Sequence, residues 1–134
     1  MKFILLKLVG MRSYCLGRRH KNMKLILKGR VIDTKLTFTN EGTGLKGYVK
    51  ASYEALVNTF GEPDIINGSY MTGYKVDAEW IMGTKFGAVT IYNYKDGKNY
   101  KGEKGLDIAD ITDWHIGGFD ARVVGVIERA LISK

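Results

Sequence analysis

Cysteine is nearly absent from this chain: its 134 residues contain one, Cys15. With the first 22 residues set aside Cys15 goes too and the remaining chain has none, which excludes disulfides, thiol nucleophiles and thiolate zinc sites there and agrees with a reducing cytoplasm. No apolar run approaches the length of a membrane span, so no membrane association is expected. No glycine-rich phosphate fingerprint occurs among the 17 glycines. No catalytic motif is specific either, which favours a non-enzymatic role and calls for no cofactor.

The net charge of +7 suggests an anionic partner until its distribution is considered. Residues 1–22 hold Lys2, Lys7, Arg12, Arg18, Arg19 and Lys21 and no acid, whereas the remaining chain is within one charge of neutral. Lys7 interrupts "FILLKLV", which argues against a secretory signal, and "RSY" before Cys15 is wrong for a lipoprotein anchor. Two readings remain. One is a basic arm that steers the protein to phosphate. The other is a translated leader, since Arg18–Arg19 can be encoded by purine-rich codons resembling a ribosome-binding site a short distance before Met23. The leader is preferred, giving an extension over 1–22 and one domain over 23–134, long enough to bury its own core.

From Met23 the chain reads as short, punctuated elements. "KLILKGRVIDTKLTF" has strand composition broken at Gly29 and predicts one or two strands, with "TNEGTGLKG" as the following loop. Ser52 is a fitting N-cap for a helix in which Tyr53, Leu56, Val57 and Phe60 share a face, stopped by Gly61 and Pro63. "YKVDAEWIM" alternates like a half-buried strand and pairs with "AVTIYNYK" through Gly83–Gly87. "DITDWHI" gives another strand ending at Gly117–Gly118, and a helix begins near Asp120. This order excludes a regular parallel nucleotide-binding fold. It predicts an α+β domain: a twisted antiparallel sheet of about four to six strands with two helices packed on one face.

Three groups of residues invite a functional reading. Asp96–Gly97 is a two-residue turn signal that predicts a hairpin with Lys95 opposite Lys98, Tyr94 opposite Asn99 and Asn93 opposite Tyr100. Lys95, Lys98, Lys101 and Lys104, with Tyr92, Tyr94 and Tyr100, then suit a phosphate backbone and stacked bases, or simply a solvated hairpin tip. Asp77 and Glu79 share one strand face, and Asp113 and His115 share another. Were those strands neighbours, the four would offer a divalent-metal site for hydrolysis. Finally, "WHIGGFD" sets Trp114 and His115 before a helix start whose free amides could hold an anion. Against this, Asp120 would occupy those amides, and tryptophan is more often core.

"SYEALVNTFGEPD", "YKVDAEWIM", "VTIYNYKDGKNY" and "ITDWHIGGFDARVVGVIERAL" together resemble a group of small proteins of bacteriophages and related mobile elements, over about residues 45–132. The "helix, then Gly-Glu-Pro" element is also similar, over a short stretch, to inhibitor domains of the β-lactamase-inhibitor type. The phage resemblance implies no catalytic residue. It implies an accessory role in the host cytoplasm, foremost a counter-defence inhibitor of the anti-CRISPR kind that binds a host protein or defence complex. A nucleotide-sequestering or nucleic-acid-binding protein is the second expectation and a metal-dependent hydrolase the third. An exposed sheet edge would allow a homodimer.

Overall fold

The computed structural model describes residues 22–66 and 75–133, so all of the basic extension but its last residue, and with it the two readings, lies outside the described residues, as does Tyr74. Strands β1 (Met23–Leu27) and β2 (Arg30–Thr34) form a hairpin. Its two-residue turn holds Lys28 at φ 53° and Gly29 at φ 79°, the left-handed pair whose twist matches that of the strands it joins. The one-or-two-strand stretch is therefore two strands.

Strand β3 (Gly44–Lys50) leads directly into helix α1 (Tyr53–Phe60). Ser52 caps that helix, its Oγ accepting from the Ala55 N–H at 3.0 Å, and Gly61 ends it at φ 85°. After the short β4 (Ile65–Ile66) come β5 (Ala78–Thr84) and β6 (Gly87–Tyr92), joined by a tight turn at Lys85–Phe86. A one-turn helix α2 (Lys98–Lys101), two short 3-10 turns, β7 (Asp113–Gly118) and helix α3 (Val123–Ile132) complete the described chain.

The expected α+β class is what forms: a mostly antiparallel sheet with helices. Among the described residues seven strands run β2-β1-β5-β6-β7-β3, with β4 also paired to β5. Two details correct the expectation. The strands number more than six, and β1 runs parallel to β5 while the other pairings are antiparallel. β3 takes in Gly44 to Gly47, which read as loop because two glycines hide any alternation. What makes it a strand is its pairing with β7, in which Tyr48 lies opposite His115 and Lys50 opposite Asp113.

Alternation along the strands builds the core. Ile26, Ala78, Trp80, Met82, Val89, Ile91, Trp114 and Ile116 face α1 and α3, where Leu56, Phe60, Val123, Ile127 and Ala130 complete one buried cluster. Both helices thus cover the same face. Trp80 and Trp114 meet edge-to-face at 5.5 Å, and each donates its indole N–H to a backbone carbonyl, Trp80 to Gly61 and Trp114 to Ala51. Each such side chain, fully buried, contributes roughly 2–3 kcal/mol.

One end of the opposite face has its own apolar cluster: Met23, Leu25, Ile81 and Ala88 beneath Phe38. Phe38 lies so close over Gly83 that a Cβ there would sit 2.3 Å from the ring, which only glycine permits. The rest of this second face carries polar and aromatic side chains. No helix among the described residues is long and apolar enough to cross a membrane.

Candidate functional site

Strand register sets four side chains in a row across the face that α1 and α3 leave open, helix-free among the described residues: Glu79 opposite Tyr92, Tyr92 opposite His115, and His115 opposite Tyr48. Each occupies the solvent-side position of its strand for the same reason that Trp80, Ile91, Trp114 and Val49 occupy the core side. Tyr94, just past the end of β6, folds back on the row. The His115 ring therefore touches three tyrosines, with centroid distances of 4.9 Å to Tyr48, 5.4 Å to Tyr92 and 5.3 Å to Tyr94.

The cluster is electrostatically quiet. His115 Nδ1 is buried and, among the described residues, has no hydrogen-bond partner. Burial pushes the imidazole below the usual histidine range, against the opposing pull of Asp96 and Asp113, so the ring is neutral at neutral pH. Burial, then the charge of Glu79, raises the Tyr92 phenol, with smaller contributions from Tyr94 and Tyr48. Glu79 Oε2 is itself held by the Thr90 hydroxyl and by Asn40 Nδ2, the latter at 3.0 Å.

Beyond Tyr94 the aromatic strip continues. The Lys95 ammonium lies 5.3 Å from the Tyr94 ring and 5.4 Å from the Tyr100 ring, bridging them by cation–π attraction. Three rings of the strip are well exposed: Tyr48 at 62%, Tyr94 at 41% and Tyr100 at 42%. They form a ribbon of fixed, half-bare aromatic faces running from the sheet edge to α2.

A buried polar clamp positions this strip. Asn93 Oδ1 accepts from the Asp77 and Ala78 backbone N–H groups at 2.7 and 3.2 Å, while its Nδ2 donates to Asp77 and Asp96, each at 2.9 Å. The other Asp77 oxygen accepts from the Asn99 N–H at 3.3 Å and so caps α2 from the residue before β5. Each of these buried groups has its partner, which is what makes the arrangement tolerable away from water.

The same clamp overturns the expected hairpin. The chain does not double back at Asp96–Gly97. Lys95 takes the left-handed turn position at φ 65°, Gly97 bridges to Leu106, and residues 98–101 become α2. A local turn signal worth a few tenths of a kcal/mol loses to a buried carboxyl that accepts from both the Asn93 side chain and the Asn99 N–H. Lys95 and Lys98 are therefore not opposed across a ladder. Lys98 pairs with Asp107 at 3.2 Å, and Lys101 is exposed on α2.

Trp114 also leaves the candidate list, because neighbouring strand residues face opposite ways and its ring is wholly in the core. The metal constellation does not assemble. β6 separates β5 from β7, Asp77 is committed to the clamp, and Asp113 pairs with Lys50 at 2.7 Å. Among the described residues no three His, Cys, Asp or Glu side chains come together as metal ligands. Just before α3, Asp120 takes the Arg122 N–H and guanidinium, which holds its carboxyl down at about 2; the amides that open the helix bond backbone carbonyls instead, Val123 to Asp120 and Val124 to Ala121, so Asp120 is not their side-chain cap.

The structure thus gathers Tyr92, Tyr94, Lys95, Tyr100 and His115 and adds Tyr48, which the sequence reading missed. The signal was a tyrosine among glycines and lysines in "KGYVK", legible only once that stretch is known to be a strand. Comparison with protein-family models, curated proteins and solved structures gave no match.

Proposed function

We propose that this is a non-enzymatic binding protein that docks the aromatic ribbon of its helix-free face onto a partner protein. Taken with the phage resemblance, it is a counter-defence inhibitor of the anti-CRISPR kind, acting in the host cytoplasm on a host protein or defence complex. The carrying observation is the ribbon Tyr48–His115–Tyr94–Lys95–Tyr100, whose tyrosines are exposed yet held by ring contacts. Tyrosine offers large amphipathic area, and rings fixed in advance lose little freedom on binding. Near-neutrality from Met23 onward favours a protein over a polyanion.

The test is co-purification from a producing host with wild type and with the double variant Tyr48→Ala and Tyr94→Ala. A stoichiometric host protein held by wild type and lost by a still-folded double variant supports the reading. A host protein that the double variant holds equally well overturns it.

Lys95 between two tyrosines favours a second reading, a nucleotide held by stacking and charge. That reading expects a bound ultraviolet-absorbing small molecule, released by salt and by Lys95→Glu.

A further inference from the structure

The outer edge of β3 adjoins the ribbon and, among the described residues, pairs with β7 alone. We infer that this edge pairs antiparallel with the β3 of a second copy, about a two-fold axis through Val49, joining two sheets into one. Antiparallel ladders alternate residues that bond their neighbour with residues that turn away. The Ala51 N–H bonds the Thr112 carbonyl at 3.1 Å, so Val49 also turns its backbone to β7, while Tyr48 and Lys50 direct theirs outward.

Pairing centred on Val49 sets Tyr48 of one copy opposite Lys50 of the other, twice, with Val49 against Val49 and Gly47 against Ala51. Tyr48 then packs against an aliphatic stem and a cation, and Lys50 keeps Asp113 on its other side. Gly47 lies where a Cβ would come within 2.8 Å of Val124, so small residues at these paired positions leave room for α3.

Competing arrangements fit less well. A shift to an axis through Tyr48 sets Lys50 against Lys46 of the other copy, and like charges directly opposed are unfavourable. The bulge between Leu45 and Gly47 confines regular pairing to the stretch after it. The other edge, β2, paired symmetrically about Ile32, would set Val31 against Asp33, whose carboxylate already holds Lys24 at 2.6 Å.

A two-fold axis perpendicular to the sheet keeps both helix-free faces on the same side. The assembly therefore presents two aromatic ribbons side by side, meeting at Tyr48. This goes beyond the proposed function and does not depend on it, since it is read from the purified chain alone.

The test is sedimentation equilibrium of the full chain across a concentration series, with thermal melts to establish folding. Wild type should be a dimer. Tyr48→Lys should weaken it by about tenfold or more, by opposing two lysine pairs, and adding Lys50→Glu should restore it. A wild type that stays monomeric at every concentration overturns the inference. A dimer indifferent to Tyr48→Lys overturns the edge, and a failure of Lys50→Glu to rescue a folded Tyr48→Lys protein overturns the register.

Discussion

Tyr48 and His115 lie directly opposite one another on β3 and β7, their rings 4.9 Å apart at 73°, edge against face. The contact joins the most exposed ring of the aromatic ribbon to a half-buried one. Because β3, among the described residues, pairs with β7 alone, the histidine's environment depends on that pairing.

Acid should weaken the fold through His115. Its folded pKa lies below the ordinary 6.5, so the unfolded chain takes the proton more readily, and stability falls as pH drops below about 6.5. Asp96 and Asp113 soften the effect without reversing it. Melting temperatures measured between about pH 7.5 and pH 5 should decline for wild type and decline less for His115→Phe, which keeps a ring but cannot titrate. Equal slopes would show that the loss comes from other groups.

Removing Asp77 should be costly out of proportion to its size. Asp77→Ala leaves Asn93 Nδ2 and the Asn99 N–H each short of a buried acceptor, a loss of about 2–4 kcal/mol in urea unfolding. Gly97→Ala should damage the same clamp from the other side, since its Cβ would sit 2.1 Å from Asp77 Oδ1. Either variant within about 0.5 kcal/mol of wild type would contradict the account of α2 positioning.

Trp114 and Tyr94 should separate stability from binding. Trp114→Phe gives up the bond to Ala51 and core volume, and should lose about 2 kcal/mol while partner capture by the folded fraction is unchanged. Tyr94→Ala should do the reverse, altering the melt little and capture strongly. Capture lost on Trp114→Phe with no loss of stability would move the binding surface to the helical face.

At the β1–β2 turn, Lys28 occupies a left-handed position at φ 53°, which asparagine tolerates better than lysine. Lys28→Asn should therefore raise stability by roughly 0.5–1 kcal/mol in denaturant titration. A destabilisation would mean that the lysine side chain makes a contribution beyond the turn.

Where local chemistry has one dominant answer, the sequence reading and the structure agree. Ser52 and Gly61 bound α1, the break expected at Gly29 is there, and Trp80 and Glu79 divide core from open face by alternation alone. Tyr94, Lys95, Tyr100 and His115 were legible as candidates by residue type. Their meeting was not, because it depends on a segment that leaves the sheet after Tyr92.

The sequence by itself determined the α+β class, the bounds of α1 and the alternation that sets Glu79 and His115 apart from Trp80 and Trp114, since caps and two-residue periodicity act over a few neighbouring residues. Only the tertiary structure decided that Gly44–Lys50 is a strand, that β1 runs parallel to β5, that Asp77 clamps α2 and that Tyr48 meets His115. Those outcomes rest on backbone ladders and a buried carboxylate joining segments far apart in the chain, and their free energies outweigh local preferences of a few tenths of a kcal/mol.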